Sequence, residues 1–237
     1  MNKLISALVI LVNIYFAFQN NVQAQGANLN NNNVVGWNNV PTNLVKENIS
    51  YNDVKGNCFW KNEWLPVKIF MNNGDVYKLP KAKLNLYASS IHYINNQGAE
   101  VAAQGGIRAV VFYSPADTTR AGVFKVLSGT AVEGREFFAQ ILVDGNIKFL
   151  KATLVRLVKQ ESDPLLKTIE WIFEPRDIYF VEEKGNTHEL KSLNKKHLFS
   201  LIEKKDQDEG WLKQNKNSLR NEEEVKAFLS YRNTLIH

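Results

Sequence analysis

The chain has 237 residues, 44% of them hydrophobic and 11% aromatic, enough to bury one packed core with an extension. Its single cysteine, Cys58, excludes an internal disulfide framework and cannot by itself build a zinc site. The net charge of +5 is unevenly placed: residues 25–183 carry 17 Lys and Arg against 16 Asp and Glu, and residues 184–237 carry 11 against 8. That excess is spread out and interrupted by acids, which argues against nucleic-acid binding.

Met1-Asn2-Lys3 supplies one positive charge before an apolar run, Leu4 to Phe18. The run is shorter than the roughly 20 residues a membrane helix needs. It is followed by Val22-x-Ala24, a small-residue cleavage pattern, so residues 1–24 read as a secretory signal peptide. No cysteine follows closely enough for a lipid anchor, and no later stretch is apolar enough to span a bilayer. The expected location is therefore outside the cytoplasm, periplasmic or secreted, with no transmembrane span in the mature chain. Residues 25–50 are rich in Asn and poor in core-building residues, and read as a flexible leader. Asn48-Ile49-Ser50 within it matches a glycosylation sequon.

Residues 51–193 read as an antiparallel β domain, a meander that forms a sandwich or a half-open barrel. Val67–Met71 alternates, Asn72-Asn73-Gly74-Asp75 turns the chain, and Val76–Leu79 returns. Pro80 is expected to break that strand, with alternation resuming over Lys83–Ala88. Further strands follow around Ile91–Ile94, Ile107–Tyr113 and "GVFKVLSG". Asp144-Gly145, between two long apolar runs, predicts a two-residue hairpin turn. Phe137, Ala139, Ile141 and Val143 face one way there, and Phe138 and Leu142 the other, so the strand is covered on both sides. Glu174-Pro175-Arg176 is expected to separate "TIEWIF" from "DIYFVEE", and Lys184-Gly185-Asn186 to turn into "THELKSL". Tyr77, Tyr87 and Tyr93 occupy strand positions and read as packing rather than as a ligand platform, with Trp60 and Trp64 as lids on the core.

At Asn194 the period changes to helical. Residues 194–237 read as a helical tail that packs on the sheet through Leu198, Leu201, Ile202, Phe228 and Leu229. Asn194 caps the first helix, Gly210-Trp211-Leu212 belongs to a linking helix, and Asn221 with Glu224 caps the last. Lys195, Lys196, Lys204 and Lys205 lie between the apolar positions and are the candidate partner-binding residues.

The residues of familiar chemistry are sparse. The four histidines, His92, His188, His197 and His237, include no pair at zinc-helix spacing, and there is no G-x-S-x-G elbow. No catalytic residue, metal or cofactor is expected. Glu170 and Glu174 share one strand face instead of opposing each other as glycosidase carboxylates do. His188 reads as a surface partner of Glu182 or Glu183. The order of signal peptide, Asn-rich leader, "YNDVKGNCFWKNEWLPVKIFMNNGDVYKL", meander, "LNKKHLFSLI" and closing "NEEEVKAFLSYRNTLI" resembles a group of uncharacterised exported β-rich proteins of Gram-negative envelopes. The resemblance implies an envelope location and brings no catalytic residues. The leading expectation is a non-enzymatic exported protein that binds another envelope macromolecule or an anionic surface. The alternatives are a carrier of an apolar ligand in a half-open barrel and, third, a carbohydrate-active enzyme. Mass measurement of the protein from its native host is expected to give a chain beginning at Gln25. A full-length cytoplasmic species would refute export.

Overall fold

The computed structural model describes residues 51–103, 105–128, 134–163 and 168–235. The expected signal peptide, the leader with its sequon, and His237 lie outside them. After a 3-10 turn at Tyr51–Asp53 come β1 (Val54–Lys55), β2 (Leu65–Met71), β3 (Val76–Asn85), β4 (Ser90–Ile94) and β5 (Glu100–Ala103). Then follow β6 (Ile107–Tyr113), β7 (Arg120–Leu127), β8 (Phe137–Val143), β9 (Ile147–Asp163), β10 (Thr168–Glu183) and β11 (Asn186–Leu190). Three helices close the chain: α1 (Lys195–Phe199), α2 (Asp206–Gln214) and α3 (Glu222–Thr234). The protein is thus mainly β with a C-terminal helical extension, and no described helix is long and apolar enough to cross a membrane.

All strands join one sheet in the order β1-β10-β9-β8-β7-β6-β2-β3-β4-β5, with β11 added beside β10. Every pair is antiparallel except β1 with β10, which makes the sheet mixed. The sheet does not close into a barrel, because its end strands β1 and β5 do not pair with each other. It is nevertheless strongly curled. Lys125 on β7 reaches Glu182 on β10 at 2.5 Å, although three strand spacings on a flat sheet amount to about 14 Å. Ala139 and Ala152, both fully buried on the curled face, remove side-chain bulk where the bend needs it.

Two prolines differ from expectation. β3 runs straight through Pro80: its first half pairs with β2, Ala82–Asn85 pair with β4, and a register shift between Leu65 and Val67 lies opposite the proline. β10 likewise continues through Pro175 instead of turning at Glu174–Arg176. On the side away from β9, β1 pairs in register with Trp171 and Ile172, and β11 with Tyr179 to Glu183. Pro175 sits in the gap between them, where a missing N–H breaks no ladder bond on that side.

Different stretches of the β9–β10 hairpin are covered by different layers. Phe149, Val181 and Leu190 meet Leu198, Ile202, Leu212, Val225, Phe228 and Leu229 of the helical region. On the opposite face Leu150, Leu154, Ile178 and Phe180 pack with Leu127 and Phe137. The bulge between Ile141 and Val143 carries Val143 over to the helix-covered cluster, away from Phe137 and Ala139, with which simple alternation grouped it. Toward the hairpin's far end, Val155 and Phe173 are capped by Val54 and Cys58.

That cap is part of a strap, Tyr51 to Trp60. It pairs with β10 at Val54 and Lys55, then with β3 through the bridge Phe59–Asn85 and the bonds Trp60 N–H to Leu84 O (2.9 Å) and Leu86 N–H to Cys58 O (2.8 Å). Trp60 ends the strap, half-buried against the main core and packed on Phe112 and Phe124. A Cβ on Gly122 would lie 2.5 Å from its indole ring, so the glycine gives the ring its seat. Tyr77 and Tyr93 pack against this same core, and Tyr87 against the strap's cluster, as the packing reading expects.

The β8–β9 connection has three residues, Asp144 to Asn146, rather than two. α3 clamps it: Asn233 Oδ1 accepts the Ile147 N–H at 2.9 Å, and its Nδ2 donates to Ile147 O at 2.8 Å. Gly145 has φ 151°, and a Cβ there would stand 2.5 Å from Asn233 Nδ2. Gly145→Ala is expected to destabilise the protein by about 2 kcal/mol, by pushing the clamp off the hairpin. An unchanged urea midpoint would show that the turn and α3 are not coupled.

Candidate functional site

Three polar clusters stand out from the apolar framework. The first is a buried row beneath the strap. His92 on β4 is 1% exposed. Its Nδ1 lies 2.8 Å from Glu100 Oε1 on β5, and its Nε2 3.1 Å from Asn85 Nδ2 on β3. Asn85 Nδ2 also donates to the Tyr51 hydroxyl at 3.2 Å, and Asn85 Oδ1 accepts the Ala88 N–H at 2.9 Å. Burial lowers the imidazole pKa below its usual value by more than Glu100 raises it. Cys58 is buried alongside, and burial pushes its thiol up to about 12, which makes it the inert small hydrophobe the sequence suggested.

The second cluster centres on Glu182. Burial alone would raise its carboxyl pKa, but hydrogen bonds from Lys125, Lys148 (3.0 Å) and Thr187 (2.9 Å) outweigh burial and hold it at about 2. His188 is not its partner: it pairs in register with Val181 and is exposed. Four donors and acceptors that satisfy each other tie β7, β9, β10 and β11 together and leave no group poised to react.

The third cluster is the outer surface of the helices. Asn194 caps α1 by accepting the His197 N–H, and Asn221 caps α3 by accepting the Glu224 N–H. Arg232 of α3 makes a buried ion pair with Asp208 of α2 and donates to Glu203 O at 2.7 Å. The Asp208 carboxylate also accepts the Lys205 N–H, so one side chain starts α2 and fastens it to α3. This scaffold fixes the lysines. Lys195 and Lys204 both bind Glu209, at 2.5 and 3.2 Å, and these bonds lower the Glu209 carboxyl pKa. Lys205 is half-buried at the start of α2, and Lys196 is exposed. The four lysines singled out in the sequence therefore divide into two bound to Glu209, one at a helix start and one exposed.

Two others, which the sequence reading passed over, complete a hollow. Lys195, Lys213, Lys216, Glu209, Leu212 and Asn217 line an open depression on α2 and the turn after it. Lys213 and Lys216 are exposed and have no ion pair among the described residues. Lys216 has φ 49°, in the left-handed position just past the helix end, while Asn217 N–H reaches back to Leu212 O at 2.9 Å. Glycine ordinarily occupies that position. The signal was present in "WLKQNKN", where a helix end with Lys in place of Gly points a side chain where a glycine would leave none.

Glu170 and Glu174 form no opposed pair: Glu170 binds Lys55 at 2.6 Å, and Glu174 is exposed opposite Arg156. Among the described residues no group of three or more His, Cys, Asp and Glu is arranged to hold a metal ion. No family model, curated protein or solved structure matches the chain. Lys216→Gly relieves the left-handed backbone and is expected to stabilise the fold by about 0.5–1 kcal/mol in chemical denaturation. A loss of stability would mean that the lysine side chain itself holds the turn.

Proposed function

We propose that the protein is a non-enzymatic, exported component of the cell envelope that uses its helical tail to hold an anionic surface. The observation that carries this reading is the hollow on α2, where three lysines surround one carboxylate and two of the three have no ion pair among the described residues. From Lys191 to Arg220 there are eight Lys and Arg against four Asp and Glu, and one of those acids, Asp208, is buried on Arg232. The outward-facing charge of this region is therefore positive.

The chemistry of the rim favours phosphate headgroups over an acidic protein. Lysine ammonium groups are compact point charges that suit phosphate and diffuse negative surfaces, whereas geometric recognition of carboxylates draws on the arginine fork. A carrier role has less support, since Trp60, Phe112 and Phe124 pack on one another and fill the main core with side chains. A glycosidase role has less still, given the placement of Glu170 and Glu174.

The lysine pairings decide how to test the reading. Reversing Lys195 or Lys204 would set a new acid beside Glu209 and disturb the α1–α2 contact, so the informative set is Lys196, Lys213 and Lys216. Cosedimentation with phosphatidylcholine vesicles, with and without phosphatidylglycerol, is expected to show binding only to the anionic vesicles. Affinity should fall with added salt and drop about fivefold for each of the three lysines changed to Glu. Wild-type binding by the triple variant, at an unchanged melting temperature, would overturn this assignment. Binding to acidic proteins but not to vesicles would move it to another class of partner.

A further inference from the structure

We propose that His92 is a proton-operated latch that holds the strap Tyr51–Trp60 against β3 while the ring is neutral and lets it go when the ring is charged. Which atoms can donate decides the state of the latch. Glu100 Oε1 is an acceptor 2.8 Å from His92 Nδ1, so Nδ1 carries the hydrogen of the neutral ring. Nε2 is then a bare acceptor, and it faces the amide Nδ2 of Asn85 at 3.1 Å. The Asn85 amide cannot turn round to suit a different partner, because its Oδ1 already accepts the backbone N–H of Ala88. Its second Nδ2 hydrogen goes to the Tyr51 hydroxyl, and the Tyr51 ring stacks on Phe173 of β10, with centroids 6.0 Å apart. A single row of bonds therefore runs from β5 through β4 and β3 to the strap, and the strap carries it on to β10.

A proton on Nε2 puts a donor against a donor in the middle of this row. The ring has no solvent to turn to: Phe59 meets it edge-on at 5.2 Å and Tyr51 at 6.3 Å, and both belong to the strap. The groups that face it from the surrounding elements pull in opposite directions. Glu100 on β5 favours the cation, and Lys83 on β3 disfavours it. Cys58 and Tyr51 of the strap are neutral, both raised by burial, and Tyr87 lies beside them. Burial outweighs Glu100, so the folded ring titrates below its usual value of about 6.5. The sign follows. The latch's contribution is complete above about 6.5 and is lost as pH falls from there through the lower folded value. Lifting the strap uncovers Val155 on β9 and Phe173 on β10 together with its own Phe59, so acid would expose an apolar patch that neutral pH hides.

Amide hydrogen exchange, corrected for intrinsic pH dependence, reads the strap directly at Trp60 and Leu86, whose N–H groups bridge strap and β3. Their protection is expected to fall about tenfold or more between pH about 7.5 and about 5, while β9 and β10 amides under the helices keep theirs. His92→Phe should abolish that response. Asn85→Asp supplies an acceptor to the charged ring and should reverse it, leaving the strap at least as protected in acid as at neutral pH. If His92→Phe does not fold, the Asn85→Asp comparison still decides. Protection independent of pH in the wild type, or an undiminished acid response in either variant, would overturn the latch.

Discussion

The whole molecule is organised by the length of the β9–β10 hairpin. Its strands of 17 and 16 residues are far longer than the five or six usual in a globular sheet, and both faces carry large apolar side chains. No single layer covers such a ribbon. The helices take one face near the chain reversal at β8, the curl of the sheet takes the other, and the strap takes the far end. The helical tail, the β7–β8 part of the sheet and the strap are each explained by which stretch of this hairpin they keep from water, at roughly 25 cal/mol for every Å² of apolar surface removed, whereas β2 to β6 build a core of their own.

The helical tail shows how covering and presenting combine in one element. Its apolar stripe is fixed by what it buries, and that fixes the outward positions for charge. The Asp208–Arg232 pair lies between the two. Burying two charges gains little stability of itself, yet with one partner removed the other would be left uncompensated. The pair thus sets the angle of α2 on α3 more than it adds to stability, and the positions of Lys213 and Lys216 follow from that angle.

Much of this was legible in the sequence. The helix caps at Asn194 and Asn221, the positive-φ turn at Lys184-Gly185 and the two-sided covering of the β8 region all follow from local rules, and local rules suffice there. The failures share a cause. Pro80 and Pro175 are strand breakers only when a neighbour needs their N–H, and whether a neighbour exists is decided by residues far away in sequence. The Ile141–Val143 bulge changes one residue's face without any glycine to announce it. β1 is two residues long and pairs in parallel with β10, so it carries no alternation to read. The candidate site was half visible: a basic tail was plain, but which lysines Glu209 engages depends on how α1 lies against α2, and that is a tertiary fact.

The strap also orders events in time. Lys55 and Glu170, which it brings together, are 115 residues apart in sequence. Contacts of that separation must close a long loop before they return any free energy, and they form late. Among the described residues the strap is the first part of the chain to be synthesised, yet its half that docks on β10 is expected to settle among the last. Throughout that interval Val54 and Cys58 wait without Val155 and Phe173, their partners on β9 and β10. The earliest-made segment is therefore the one whose apolar surface stays longest uncovered while the chain folds.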